Sequence, residues 1–424
     1  MKTRPVYIAG GSRTPFVKSM GTYQTVTTQD LMIAALQDLV NKMHLEQRVV
    51  GDVALGAVIN SSAGWGLARE SVLGTTLHPH TPAYNVQRAC GTGLEAVLQI
   101  ALKIANYQIN DGIAGGVDTN SDLPVIFRRS FAQKLLALNS SRGWQAKLKA
   151  LAAFRPADLK PLVPAVVEPR TGLSMGQHTE KMVKEWGISR QDQDELAWIS
   201  HQQGQKAYDE GFYDDLVFEF QGLKRDGILR GDTTLEKLAK LKTAFDFSAA
   251  GTLTAGNSTP LSDGSSAVYL VSDEIAQQHN HPLLARFVDA EVAAVSYVQG
   301  EGLLMAPTIA VSRLLLRNKL TLQDFDFYEI HEAFAGQVLC TLKAWESADY
   351  CQRVLNRDQP MGSIDRSKLN VKGGSLALGH PFAATGGRIV ASLAKMLHQK
   401  GSGRGLISIC TAGGMGVTAI LEAV

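Results

Sequence analysis

Over the first 120 residues, short runs of consecutive apolar positions alternate with stretches where apolar residues recur every three or four positions. Residues 6–9, 53–58 and 112–117 are of the first kind; residues 31–39 and 94–104 are of the second. A short continuous apolar run fits a strand covered on both faces, and 3.6-residue spacing fits a helix with one buried stripe. Alternation of the two predicts a layered α/β unit. The same character returns after residue 251. There, segments 283–294, 309–316, 325–330, 389–397 and 406–409 supply the strands and helices of a second unit.

Between the two units the pattern changes. Residues 123–160 hold eight basic residues against one acidic residue, Asp158, a local balance of +7. Phe131, Leu135 and Leu138 follow helical spacing, as do Trp144, Leu148 and Leu151. Asn139-Ser140-Ser141-Arg142-Gly143 lies between them as a turn signal. The segment therefore predicts two short basic amphipathic helices in a hairpin. Such a hairpin serves either as a solvated surface excursion or as a docking face for an anionic membrane or a partner subunit. Residues 189–219 are polar and helical. The expected organisation is residues 1–120 with 251–280 as one half, 121–250 as an inserted loop domain, and 281–424 as the second half.

The chain has 424 residues, 45% hydrophobic and 19% charged, as in an ordinary globular protein. A net charge of +2 gives no reason to expect nucleic acid as a partner. The four cysteines, Cys90, Cys340, Cys351 and Cys410, form no Cys-x-x-Cys pair. This usage suggests neither a zinc site nor a disulfide framework, and fits free thiols in a reducing compartment. The N-terminus shows neither a signal-peptide apolar region nor an Arg/Ser-rich transit segment, and no run of eighteen apolar residues exists. The expected location is the cytoplasm, or the mitochondrial matrix for a processed eukaryotic form.

Chemistry concentrates in glycine-rich loops. Cys90 follows a strand-like run and precedes Gly91-Thr92-Gly93 at a helix start, where unpaired N–H groups and the helix dipole favour a thiolate. His380 ends Gly373-Gly374-Ser375-Leu376-Ala377-Leu378-Gly379-His380-Pro381, a loop able to present an imidazole to a cysteine and lower its pKa. His331 stands at the end of the apolar run 325–330, where α/β folds place site residues. Cys410 ends another strand and enters Thr411-Ala412-Gly413-Gly414, a turn whose N–H groups could line an oxyanion hole. Gly256-Asn257-Ser258-Thr259-Pro260 is a further small-residue loop, open to a phosphate or a pantetheine arm. Taken singly, each has a plain alternative: a packed cysteine, a surface histidine, a turn. The stretch 85–93 and the stretch from Asn370 both lead into a glycine-rich loop and an apolar helix, a weak internal repeat.

Together these loops resemble the thiolase family from end to end. Matching stretches are Arg13-Thr14-Pro15-Phe16, Gly115-Gly116-Val117-Asp118, Met175-Gly176, Ser189-Arg190-Gln191-Asp192-Gln193-Asp194, Gly256-Asn257-Ser258 and the loops of Cys90, His331, His380 and Cys410. Most thiolases carry Asn-Glu-Ala-Phe where this chain has His331-Glu332-Ala333-Phe334. That departure, with the basic insertion, resembles the thiolase subunit of fatty-acid oxidation complexes.

The resemblance implies a thiolase fold: two similar α/β halves in a five-layer αβαβα arrangement with an inserted loop domain. It implies a 3-ketoacyl-CoA thiolase with Cys90 as nucleophile, His380 as its base, Cys410 as acid/base, and His331 with His380 at an oxyanion, through a water or directly. The backbone N–H groups of Cys90 and Ala412 hold a second oxyanion. Met175, Arg230, Thr233, Ser258, Ala333 and Phe334 match coenzyme A-contacting positions. No cofactor is implied, because coenzyme A is a substrate. The expected partners are acyl-CoA, coenzyme A, and either further copies of the chain or a hydratase/dehydrogenase subunit. A biosynthetic acetoacetyl-CoA thiolase stays open, since the same residues run the condensation. So does a non-catalytic scaffold subunit. Ketoacyl synthases and hydroxymethylglutaryl-CoA synthase share the fold but lack a second catalytic cysteine.

Overall fold

The computed structural model describes residues 3–60, 64–162 and 167–424. Its strands, in chain order, are β1 (Val6–Arg13), β2 (Val17–Lys18), β3 (Val53–Gly56), β4 (Ala83–Asn85), β5 (Asp111–Asp118) and β6 (Ile126–Phe127). Then follow β7 (Pro161–Leu162), β8 (Ser262–Val271), β9 (Ala285–Ala294), β10 (Phe327–Ile330), β11 (Arg404–Thr411) and β12 (Met415–Glu422). The main sheet runs in the order β4-β3-β5-β8-β1 and continues β9-β12-β11-β10.

Those two runs are copies of one motif. In the first, β1 lies antiparallel to β8, β8 antiparallel to β5, and β5 parallel to β3. In the second, β9 lies antiparallel to β12, β12 antiparallel to β11, and β11 parallel to β10. Even β4, parallel to β3, has a remnant counterpart where Leu369 bridges Tyr328 of β10 in parallel. The weak repeat in the sequence is thus a structural duplication. The halves join where Val6–Ile8 of β1 pairs with Ala285–Phe287 of β9.

Each half also contributes one central helix, Thr92–Ala105 and Ala384–Lys400, and the two pack on each other and on the strands of the main sheet. Glycine permits that contact. A Cβ on Gly386 would lie 2.1 Å from the backbone nitrogen of Leu94, and one on Gly93 would lie 2.6 Å from the carbonyl oxygen of Ala383. Outer helices cover the far faces. Thr28–Lys42 buries Leu31, Met32, Ala35, Leu36, Leu39 and Val40, the stripe its spacing dictates, and Thr27 with Asp30 closes its N-terminus in a capping box. Ala306–Asn318 packs on β9 and β12 in the same way. Strands covered on both faces must be apolar throughout, and every residue of β8 is buried.

The basic segment forms its two helices, Arg129–Ser140 and Trp144–Ala152, closed at the base by β6 pairing with β7. Phe131 is the only buried residue on either helix. It is gripped edge-on by Phe127 and Phe154, and Lys134 pairs with Asp158 at 2.6 Å. Of the predicted stripe residues, Leu135, Trp144, Leu148 and Leu151 are exposed, Trp144 by 70%, so beyond Phe131 the stripe faces outward, as a surface excursion or a docking face requires.

Candidate active site

The two central helices begin at the same place, and the loops that lead into them carry Cys90 and His380. Each residue follows a backbone position with positive φ: Ala89 at 44° and Gly379 at 100°. For Ala89 that conformation is strained, and it turns the following thiol away from the strand direction. The turn is held by Thr92, whose Oγ1 accepts from Arg88 N–H at 2.8 Å and donates to the Ala89 carbonyl at 2.7 Å.

Cys90 lies in the wall of a cleft of about 500 Å³. Val58, Ile59, Leu123, Pro124, Met175 and Phe382 give that cleft an apolar lining. Two N–H groups, those of Ala412 and of Cys90 itself, point at the sulfur. Ala412 is placed by the left-handed glycines that follow it, Gly413 at φ 76° and Gly414 at φ 71°. Gly413 N–H donates to Glu168 at 2.8 Å, which ties this turn to the loop closing the cleft. Cys410, at the end of β11, is buried, and burial first, with Cys90 as a lesser influence, holds its thiol well above the ordinary value.

His331 and His380 stack, with ring centroids 4.1 Å apart. Their Nδ1 atoms are engaged, His331 with Ser375 Oγ at 2.8 Å and His380 with Thr385 Oγ1 at 2.6 Å. Both Nε2 atoms are buried without a protein partner, and so is Ser258 Oγ. Buried polar atoms are normally paired. Three orphans in neighbouring loops mark a place where a ligand oxygen or water belongs. The loops are stitched together: Thr259 N–H donates to the Ala333 carbonyl at 3.1 Å, Thr259 Oγ1 to the Ser375 carbonyl at 3.0 Å, and Leu261 bridges His380.

Burial sets the protonation states, and it reverses one expectation from the sequence. Burial pushes the Cys90 thiol up to about 12, overriding the two N–H groups that favour its thiolate. Burial also lowers His380 to about 3, and the Arg388 charge adds to this. His331 is held well below its ordinary value by burial, by His380 and by Arg388. Cys90 sits just ahead of the helix in a dry wall, so desolvation outweighs the dipole. The resting pair is a neutral thiol and a neutral imidazole.

Other coenzyme A-contacting candidates scatter. Met175 lines the cleft at the start of helix Met175–Glu185. Ser258, Ala333 and Phe334 lie together beside the histidines, with Ser258 bridging Phe334 and Phe334 edge-on to Phe245. Arg230 and Thr233 are not in the cleft lining; they sit on a loop where Arg230 N–H donates to His201 Nδ1 at 3.2 Å.

Sequence reasoning overlooked a buried layer behind the site. Asp118, at the end of β5, accepts from the N–H groups of Val58, Ile59 and Ala383 at 2.8–3.0 Å and so joins the cleft wall to the His380 loop. Glu332 accepts from Ser200 Oγ at 2.8 Å, Asn370 Nδ2 at 2.5 Å and Leu376 N–H at 3.1 Å. Both carboxylates sit inside quoted motifs, so an acidic residue in an otherwise small or apolar motif was the available signal.

Among the described residues, no group of three or more His, Cys, Asp or Glu side chains is placed to hold a metal ion, and no helix is long and apolar enough to cross a membrane.

Comparison with known proteins agrees with this arrangement. Residues 6–274 match the family model for the thiolase N-terminal domain, and residues 281–423 match that for the thiolase C-terminal domain. Proteins named 3-ketoacyl-CoA thiolase from Yersinia pestis (strain Pestoides F) and Yersinia pseudotuberculosis (serotype O:1b, strain IP 31758) are each 38% identical over 98% of this chain and 96% of theirs. A Bacillus anthracis acetyl-CoA acetyltransferase superposes with a TM-score of 0.83, at 29% identity over 100% of both chains. A human mitochondrial 3-ketoacyl-CoA thiolase in complex with CoA superposes with a TM-score of 0.81, at 28% identity over 99% of this chain and 98% of that one. With both domain models matched and relatives 38% identical over 98% of its length, the chain belongs to the thiolase family of acyltransferases.

Proposed function

We propose that the protein is a 3-ketoacyl-CoA thiolase, cleaving a 3-ketoacyl-CoA with coenzyme A into acetyl-CoA and a shortened acyl-CoA. The observation that carries this reading is the stacked pair His331 and His380, with both Nε2 atoms unpartnered, in the loops beside Cys90 and Cys410. Substrate arrival completes the chemistry. His380 Nε2 takes the proton of Cys90, and the thiolate attacks the 3-keto carbon. The bond between C2 and C3 then breaks, leaving an acyl-Cys90 thioester and the enolate of acetyl-CoA. The Cys410 thiol protonates that enolate carbon. Incoming coenzyme A gives its thiol proton to the Cys410 thiolate and attacks the thioester; Cys90 leaves and recovers its proton from His380. This is covalent catalysis with a separate acid and base.

Two oxyanions arise. His331 faces one of them, and the N–H groups of Cys90 and Ala412 face the other; each such donor is typically worth about 3 kcal/mol. Coenzyme A enters as substrate, as the CoA complex of the human relative supports, with Arg230 and Thr233 toward its nucleotide end and Met175, Ser258, Ala333 and Phe334 along its pantetheine arm. No further cofactor takes part. Residues 1–120 with 251–280 form one half, 281–424 the other, and 121–250 the loop domain over the site.

The apolar lining of the cleft, which includes Leu123, Pro124 and Ile126 at the base of the basic hairpin, suits a fatty acyl chain rather than an acetyl group alone. Thiolysis of 3-ketohexadecanoyl-CoA should therefore exceed that of acetoacetyl-CoA by about 10-fold or more in kcat/KM, since each buried CH₂ contributes about 0.8 kcal/mol. Turnover confined to acetoacetyl-CoA would point instead to the biosynthetic enzyme, and no acyl-Cys90 adduct with either substrate would sink the mechanism.

The outward-facing stripe of the hairpin, flanked by Arg128, Arg129, Lys147 and Lys149, serves to hold the enzyme against an anionic membrane or a hydratase/dehydrogenase subunit, in an oligomer located in the cytoplasm or the mitochondrial matrix. Vesicles rich in anionic lipid should co-sediment the protein and fail to co-sediment a variant with those four residues changed to Glu. Equal sedimentation of both would rule out the membrane arm.

A further inference from the structure

Resting on the reading above, His331 and His380 must do opposite things with the same atom. One offers an Nε2–H to a substrate oxygen; the other offers an Nε2 lone pair to the Cys90 proton. A neutral imidazole carries a single N–H, so the partner at Nδ1 decides which role each ring can play. Both partners are hydroxyls, Ser375 for His331 at 2.8 Å and Thr385 for His380 at 2.6 Å.

The two hydroxyls differ in what else they touch. Ser375 Oγ also accepts from Arg388 Nη2 at 3.0 Å, in a residue with no exposed surface. A guanidinium only donates, so it occupies a lone pair of Oγ and turns the hydroxyl proton away from itself. Among the described residues, the one acceptor recorded for that proton is His331 Nδ1. In the opposite arrangement Ser375 would receive two donors, its own proton would be buried without an acceptor, and the His331 N–H would point toward the cation. An unmet buried donor costs about 1–3 kcal/mol. Among the described residues no guanidinium touches Thr385 Oγ1, so nothing there fixes the direction of its bond to His380 Nδ1. Arg388 itself lies 2% exposed, within the central helix Ala384–Lys400, and among the described residues its Nε and Nη1 have no hydrogen-bond partner, so Ser375 Oγ is the acceptor its side chain uses.

We infer that Ser375, locked by Arg388, fixes His331 as the tautomer that carries its proton on Nε2, and so reserves His331 as an oxyanion donor and leaves the base role to His380. Ser375 is then a positioning residue: it acts through His331 and never touches the substrate. A histidine in place of the usual asparagine needs its tautomer set, whereas an asparagine amide presents its N–H groups without help.

A double-mutant cycle tests it, reading the rate of Cys90 acylation by 3-ketoacyl-CoA with rapid quench and mass spectrometry, a signal measurable over several decades of rate. Ser375→Ala alone should slow acylation by about 10- to 100-fold, because a donor to the oxyanion is lost in part of the population, while KM moves less than about 2-fold. In a His331→Asn background, the same Ser375→Ala change should alter the rate by less than about 2-fold, since the amide needs no partner to choose its donor. Equal losses from Ser375→Ala in the two backgrounds would overturn the inference and leave Ser375 as packing. So would a Ser375→Ala protein as fast as the unaltered one. Thermal melts of all four proteins separate loss of fold from loss of rate, and absence of acyl-Cys90 in the unaltered protein would defeat the proposed function rather than this relay.

Discussion

Replacing Cys90 by alanine should reduce thiolysis by at least about 10⁴-fold, because losing a nucleophile removes the covalent route altogether and leaves only binding and oxyanion stabilisation. The fold should survive the change. The side chain is small and 9% exposed, and it lies in the wall of a cleft rather than at the centre of a packed cluster. A shift in stability of no more than about 1–2 kcal/mol is expected. Intact mass after mixing with 3-ketoacyl-CoA, in the absence of free coenzyme A, should show one acyl group on the unaltered chain and none on Cys90→Ala. Residual turnover within about 10-fold of the original would remove Cys90 from the role given to it. The same experiment separates an enzyme from a scaffold, since a scaffold subunit would lose nothing.

The parts of this protein that were legible in the sequence are those set by local rules. Strand runs and helical stripes gave the α/β character because β5 and β8 are covered on both faces and helix Thr28–Lys42 on one. Glycines around Cys90, His380 and Cys410 pointed to the site because backbone reversals at Gly379, Gly413 and Gly414 need left-handed φ. Even so, the residues alone could not decide between a packed cysteine and a nucleophile; the resemblance did that.

What escaped the sequence is tertiary in origin. The continuation of one half-sheet into the other through β1 and β9 rests on a three-residue pairing that no periodicity reveals. The roles of Asp118, Glu332 and Arg388 depend on partners brought from distant segments, 265 positions away in the case of Asp118 and Ala383. The pKa of Cys90 was misjudged for a related reason: a helix start is visible in a sequence, but the desolvation that outweighs it is not. The two readings of the hairpin, solvated excursion or docking face, stayed open, since spacing says that a face is apolar but not what covers it.

Cys410 is the second place where a large effect is expected, and its size should depend on which step is watched. Carbon–carbon cleavage releases an enolate whose carbon must receive a proton, and a positioned acid contributes about 10²–10⁴-fold to such a step. Cys410→Ala should therefore slow thiolysis of a 3-ketoacyl-CoA by about 10³-fold. Exchange of labelled coenzyme A into a saturated acyl-CoA makes a different demand. It passes through the same acyl-Cys90, but the only proton to be moved beyond the Cys90–His380 pair is that of a thiol, and a thiol with an ordinary pKa near 8.5 gives its proton to water readily. That exchange should fall by less than about 10-fold. Cys410→Ser makes the argument sharper, because it keeps the volume in a buried position and supplies a hydroxyl far less acidic than a thiol. It should match alanine in cleavage despite filling the space. If cleavage and exchange instead decline together in both variants, Cys410 supports the shape of the site and a different group protonates the enolate. If only cleavage declines, the thiol that ends β11 is the acid, and the duplicated fold has delivered one sulfur from each half to a single reaction.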